Sequence, residues 1–301
     1  MSYNNNNLRI LWEFGLDGLM YNNIPSHTPA ISQDFGVLNV KKDTVESLYR
    51  VPQKYFYIIF DAGAVTQSSV RRTKAISIDT FAMLNTNLTL NASIRLYGYG
   101  DAQSSLPSIQ NLERNGTLLF YNLKRNLCGG DEYQRDLIYI EEDETKAIQR
   151  YRYFLLKVSD SQNPSDFLEV GRVLGGQASI LTNNFSDGST TFNDNITFEE
   201  TSYTDSLDLN GFSSISNERA LKRKLGIEFK NINIDSQNYK ILRNYWRYCR
   251  DTKKALVIPF ADNPVGFHLF AKLETLPKQT INYVEKNHVY SDFSLDWDEG
   301  K

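Results

Sequence analysis

The first half of the chain reads as short apolar or alternating runs separated by turn residues. Residues 8–12 (LRILW) form an apolar run followed by a Leu16-Asp17-Gly18 turn signal. Residues 55–63 (YFYIIFDAG) are a continuous apolar and aromatic run closed by Asp-Ala-Gly, the pattern of a buried strand ending in a turn. In residues 74–84, Ile76, Ile78 and Thr80 alternate with Ser77 and Asp79. Residues 91–100 set Ala92, Ile94 and Leu96 against Ser93, Arg95 and Tyr97. A period of two puts one side of such a strand on a core and the other in solvent. DLIYIEED (136–143) and RYRYFLLKVSD (150–160) predict two more strands. The pattern predicts a mainly β protein whose residues 8–172 form a jelly-roll β-sandwich, after a flexible N-terminus at 1–7.

The character changes after Gly176. Residues 177–216 are rich in Ser, Thr, Asn and Asp and predict weak strands between turns. In residues 220–232 alternation returns, with Leu221, Leu225, Ile227 and Phe229 on one side and Arg223 as the exception there. One helix is predicted over about 235–252. Asp235 is the expected N-cap, Tyr239, Leu242, Tyr245, Trp246 and Cys249 the apolar face, and Arg250, Lys253 and Lys254 the basic C-terminal end. LVIPF and an ADNP turn come next, so residues 173–301 are expected to form a smaller α+β domain.

Residues 158–176 (VSDSQNPSDFLEVGRVLGG) end in a glycine pattern that resembles a phosphate loop. Such a loop needs converging amides and a following helix, and no Lys-Ser/Thr follows Gly176. Asp160 and Asn163-Pro164 instead predict a turn between strands, and the glycines are expected to mark a joint where the chain leaves the sandwich.

Composition adds little to this picture. The 301 residues are 41% hydrophobic with a formal net charge of -3, a balance that does not favour nucleic acid or an anionic membrane as partner. Cys128 and Cys249 are too few for a disulfide framework or a metal knuckle. Residues 1–10 lack a signal-peptide pattern, and no apolar run is long enough to span a membrane, so a soluble product of a reducing cytoplasm is expected.

The order of short signatures resembles structural proteins of tailed bacteriophages that carry a galactose-binding-like (discoidin-type) jelly roll. RILWE with LDG, YIIFDAG, IDTFAMLNTNL, ASIRLYGYG and YFLLKVSDSQNPSDFLEVGRVLGG match that group's N-terminal module in sequence order. RALKRKLGIEF, the helix around Trp246 and ALVIPFADNP match the group's C-terminal segments, again in order. Two departures stand out: Thr86-Asn87 where relatives often carry His-Asn, and a long insert from Asp101 to about Asp131. The resemblance implies a virion component of the tail, connector or baseplate, with other virion proteins and copies of itself as partners. It does not imply sugar binding, because the sandwich often serves only as architecture.

Candidate chemistry is sparse. His27, His268 and His288 have no metal-ligand spacing, and no catalytic motif appears. Glu141, Glu142, Asp143 and Glu144 read as a solvated turn. Asp131 and Glu132 are Ca²⁺ candidates only by analogy with discoidin-like modules; no cofactor or metal is assigned. The basic turns Arg71, Arg72 and Lys74, and Lys222, Arg223 and Lys224, are expected to meet acidic patches on neighbouring subunits, and Tyr248, off the apolar face of the helix, is expected to be an interface contact. Tyr97, Tyr99, Asp101 and Gln103 could form a carbohydrate site for attachment to a host-surface glycan. The expected function is a non-enzymatic virion structural protein, with a carbohydrate-binding module as the alternative and a glycan hydrolase as a third reading.

Overall fold

The computed structural model describes residues 8–17, 27–43, 47–62, 75–100, 108–121, 136–141, 143–181, 196–201, 204–208, 214–218, 222–249, 253–260, 268–274, 278–284 and 288–299. In chain order the strands are β1 (Leu8–Leu11), β2 (Tyr49–Val51), β3 (Tyr55–Asp61), β4 (Thr80–Thr86), β5 (Ser93–Tyr99), β6 (Thr117–Tyr121), β7 (Leu137–Ile140), β8 (Tyr153–Ser159) and β9 (Leu168–Gly176). They continue with β10 (Ser179–Leu181), β11 (Ile196–Thr201), β12 (Thr204–Asp208), β13 (Ser214–Glu218), β14 (Lys222–Asn233), β15 (Ala255–Ile258), β16 (Leu269–Leu273), β17 (Lys278–Val284) and β18 (His288–Asp298). The α-helices are α1 (Ile109–Asn115), α2 (Glu144–Ala147) and α3 (Gln237–Cys249). Two compact units result, one of Glu13–Ala178 with Asn263–Gly266, the other of Met1–Trp12, Ser179–Asp262 and Phe267–Lys301.

The unit spanning Glu13–Ala178 is a β-sandwich. Its two antiparallel sheets run β2-β9-β4-β7 and β3-β8-β5-β6. The alternation seen in the sequence supplies the core between them: Phe56, Ile58 and Phe60 of β3 and Ile94 and Leu96 of β5 join Phe81 and Met83 of β4. Alternation fails at one point in the other sheet, where Val170 and Val173, three residues apart, both enter this core. Their partners on β4 flank Asn85, whose φ of 53° lies in the left-handed region that Asn tolerates. The Asn85 amide is held there by Asp136 Oδ1 at 2.7 Å.

Two expectations about this unit are corrected. The GRVLGG stretch does not leave the sandwich at residue 172: it lies within β9 and stays laddered to β4 up to the Thr80–Gly176 pair, and the joint between the units falls just after it, between Ala178 and Ser179. Neither does it leave a helix N-terminus for an anion, since β10 follows. Gly175 is needed for contact, because a Cβ there would come within 2.6 Å of Cδ1 of the fully buried Leu16. Second, the side of β5 expected to face solvent is covered by α1. Tyr97 packs with Ile59, Leu112, Tyr153 and Leu155 in a second, smaller core. Helix α1 starts at Ser108, whose Oγ accepts from the Asn111 amide at 3.2 Å.

The other unit is built on one antiparallel sheet, β10-β1-β15-β16-β18-β14-β11, with β17 also on β18. Strand β1 therefore pairs with β10 and β15 rather than with the sandwich strands that follow it in sequence. Helix α3 buries Tyr239, Leu242, Tyr245 and Cys249 against Leu225, Ile227 and Phe229 of β14 and Phe293, Leu295 and Trp297 of β18. Its N-terminal cap is Ser236, which accepts from the Tyr239 amide at 3.2 Å, and not Asp235. The apolar face also differs by one position. Tyr245 is the fully buried ring, whereas Trp246 is half-buried and outside the core. No described helix is long and apolar enough to cross a membrane.

The described part of the Ser/Thr/Asn-rich connection beyond β10 holds strands β11 to β13. β11 pairs with β14 from Ile196–Ile227 to Thr201–Lys222, and β12 pairs with β13 from Thr204–Glu218 to Asp208–Ser214. β12 and β13 form a two-stranded sheet of their own.

Candidate functional site

The residues that carry the sequence signatures converge on the turn between β8 and β9. Asp160 is buried and accepts from the Thr89 amide at 2.6 Å and the Thr89 hydroxyl at 2.7 Å. Asn163 Nδ2 donates to the Asn87 carbonyl at 2.6 Å, and its Oδ1 accepts from the Ser165 amide at 2.9 Å. Asn87 answers from the other side, donating to the Phe167 carbonyl at 3.0 Å and accepting from the Glu169 amide at 2.9 Å. Lys54 Nζ donates to the Asn163 carbonyl at 2.8 Å. The D-x-x-N-P and N-L signatures are thus a hydrogen-bonded brace that satisfies turn backbone inside the sandwich. Leaving such groups unpaired is costly, which accounts for Asp and Asn at these positions.

The other charged signature residues are engaged in the same way. Asp61, closing YIIFDAG, pairs with Arg152 through Nε–Oδ1 at 3.0 Å and Nη2–Oδ2 at 3.1 Å, with both residues buried. Asp79 Oδ1 accepts from the Ala178 amide and the Thr80 hydroxyl, each at 2.8 Å. Arg172, from the GRVLGG stretch, is fully buried and donates to the Val40 carbonyl at 3.0 Å. On the surface, Arg50 binds Glu169 at 2.8 Å while its guanidinium lies 4.2 Å from the ring centres of both Phe35 and Phe167.

The carbohydrate candidates do not assemble into a described site. Tyr97 is 7% exposed, too buried for a sugar-stacking platform, and Tyr99 packs beside the same small core. Asp101 and Gln103 lie outside the described residues, as do Arg71, Arg72, Lys74, Cys128, Asp131 and Glu132. Arg95 links this face to β6, with its guanidinium 5.0 Å from the Tyr121 ring centre. Hydrogen bonding, first to Tyr97 and also to Tyr121, holds its pKa above the ordinary arginine value, against a smaller effect of burial. In the acidic run, Asp143 caps α2, accepting from the Thr145 amide at 2.9 Å and its hydroxyl at 2.6 Å. The hydroxyl bond leads the causes that lower the Asp143 pKa. Among the described residues no group of three or more His, Cys, Asp or Glu is placed to hold a metal ion.

The second basic cluster is tied down within its own unit. Arg223 forms a two-pronged pair with Glu299, and Lys224 lies 2.7 Å from Glu274 and 3.8 Å from Asp298. The side chain of Lys222 is not among those described. Tyr248 is 43% exposed at the end of α3, with Lys253 Nζ 3.8 Å from its ring centre. Sequence reasoning overlooked a neighbouring feature. Lys240, Arg243 and Arg247 are all exposed on α3 and repeat at the three- and four-residue spacing that places them on one face. None of these three has a charged partner among the described residues. The signal was in the sequence: the helix has no acidic residue, and its basic positions fall between the apolar ones.

No family model matches the chain, and no curated protein matches it significantly. Among solved structures, the chain is similar to a GH29 fucosidase of Ruminococcus gnavus in complex with fucose, at 9% identity and a TM-score of 0.34. That likeness covers 52% of this chain and 26% of the fucosidase, so the chain spans about a quarter of that protein's length.

Proposed function

We propose that this chain is a non-enzymatic structural component of a tailed-phage virion, assembling with other tail, neck or baseplate proteins and with copies of itself. The observation that carries the reading is the brace around Asn87, Asp160 and Asn163. The most distinctive polar residues of the phage-like signatures are satisfied inside the sandwich rather than aimed outward at a ligand. A module whose signature residues serve its own architecture is suited to act through its surface, by docking. The exposed basic face of α3, with no ion pair among the described residues, supplies such surface. Burial of Tyr97 removes one of the two rings on which the carbohydrate alternative rested, so that reading is not carried further.

Antibodies to the recombinant protein, applied to purified particles of the source virus, test this proposal by electron microscopy. Label at one defined level of the tail or neck is expected. Particles without label, intact or opened, with the protein found only in infected cells, would overturn it.

A further inference from the structure

We infer that the exposed face of α3 binds the phosphate backbone of duplex DNA without regard to base sequence; this goes beyond the proposed role in assembly and does not depend on it. Each helical residue turns the chain by about 100°, so Lys240, Arg243, Asn244 and Arg247 fall within about 100° of arc. All four are exposed. Lys240 and Arg247 lie about 10 Å apart along the axis, with Arg243 between them. The chain has no acidic residue between Asp235 and Asp251, and the three cations have no ion pair among the described residues. The net charge of -3 is a sum over the whole chain and hides this local separation.

Helix stability does not account for the pattern. Lys240 stands in the first turn, at the positive end of the helix dipole, where a cation is unfavourable. Lys240 with Arg243, and Arg243 with Arg247, are like-charge pairs at three- and four-residue spacing, which weaken a helix further. An anionic partner relieves both effects.

The composition of the face selects among anionic partners. A helix that binds a membrane lowers its apolar side into the lipid, but Tyr239, Leu242, Tyr245 and Cys249 are already buried in the core. A protein interface centres on aromatic or apolar anchors. This face has cations and an amide at its centre, and Tyr248, at its flank, has Lys253 Nζ 3.8 Å from its ring centre. Single-stranded nucleic acid wants a series of rings on which bases stack, and the face offers none along its centre. Phosphates of a duplex ask only for cations and amide donors. Duplex DNA presents one charge per about 1.7 Å, so about six phosphates accompany the distance from Lys240 to Arg247. Its major groove, roughly 12 Å wide, admits an α-helix, whereas that of an RNA duplex is too narrow.

Fluorescence anisotropy of the full chain with a labelled DNA duplex of mixed sequence, over a range of salt, tests this inference. Binding is expected at low salt. Three neutralised phosphates predict about fortyfold weaker binding for a fourfold rise in salt, a log–log slope of about -3. The K240Q/R243Q/R247Q variant should bind about tenfold or more weakly at low salt, and R243Q alone should reduce the slope by about one. R243K/R247K keeps the charge and should bind like the wild type, which separates lost charge from lost fold. No binding at low salt, or binding that the triple variant retains, would overturn the inference. Polyglutamate or phosphatidylserine vesicles held as tightly as the duplex through the same three residues would assign the face to an acidic protein or a membrane instead. A preference for an RNA duplex of about tenfold or more would likewise overturn the assignment to DNA. Particles that contain the chain, with no DNA binding, would leave the virion reading standing without this contact. DNA binding by a chain absent from particles would do the opposite.

Discussion

The indole Nε1 of Trp297 donates a hydrogen bond to the Tyr245 hydroxyl at 2.7 Å, tying the last strand of the chain to α3 in a core where both rings are fully buried. Trp12 packs on the same tyrosine with ring centres 5.2 Å apart, so residues from both ends of the chain meet on one phenol. Burial pushes the Tyr245 hydroxyl well above its ordinary pKa, so it remains protonated and neutral through the physiological range. Tyr245→Phe should keep the ring packing but leave the indole N–H unpaired, lowering stability by about 1–3 kcal/mol. Urea denaturation followed by tryptophan fluorescence checks this; an unchanged midpoint would mean the bond contributes nothing.

Asp160 organises the turn between β8 and β9 by accepting from Thr89 twice. Asp160→Ala leaves the half-buried Thr89 amide and hydroxyl without their acceptor, and a loss of about 2–4 kcal/mol is expected from two unsatisfied groups. Thr89→Val, which removes only the hydroxyl, should cost visibly less. The two midpoints measured side by side decide whether the aspartate holds the backbone as well as the side chain.

Arg152 and Asp61 form a buried, doubly hydrogen-bonded pair. Arg152→Met is expected to destabilise by about 3–5 kcal/mol because it removes the guanidinium that pairs with the buried Asp61 carboxylate. Replacing both, as Asp61→Leu with Arg152→Met, should recover much of that loss. A double variant no more stable than the single one would show that the pair has further structural duties.

Tyr97 separates packing from ligand binding. Tyr97→Ala should lower stability by about 3 kcal/mol through the cavity left under α1, an effect to be read as a fall in thermal midpoint. Tyr121, 51% exposed at the edge of the same sheet, should tolerate the same change with little loss.

His27 gives the fold a pH dependence of known sign. It bridges to Ile58, and the next residue, Thr28, exchanges hydrogen bonds of 3.1 and 3.0 Å with Tyr57 at the edge of β3. Burial lowers its pKa below the 6.5 of the unfolded chain. Below that value the unfolded state binds the proton more readily, so stability is full above pH 6.5 and declines as the pH falls toward the folded-state value. Stability measured from pH 7.5 down to 5.5 should decrease, and His27→Gln should flatten that slope.

Strands β3, β4, β5, β7 and β8 of the sandwich were legible because each buries one side or both, and hydrophobic period alone reports that; β2 and β6 were not singled out. The turn at Asp160 and Asn163-Pro164 was legible too, since those residues favour a turn locally. Tyr97 was misread for a definite reason: a tyrosine on the polar side of an alternating strand looks exposed unless the covering helix is known. The helix that covers it comes from the insert after Asp101, where sequence period had signalled nothing. On α3 the error was a single position, since Tyr245 and Trp246 both fit a helical period and only packing against Trp297 selects between them.

What the sequence by itself determined is local: which segments are strands, where turns fall, that α3 is amphipathic, and that residues 173–218 carry only negative charge. Tertiary structure alone decided which strand joins which sheet. β1 has the period of a sandwich strand, yet its partners β10 and β15 lie far downstream in the chain, so it completes the other unit. Likewise, GRVLGG became a sandwich strand only because β4 lies alongside to receive its hydrogen bonds. Backbone pairing between distant segments depends on which edges meet in space, and no period within a single segment encodes that choice.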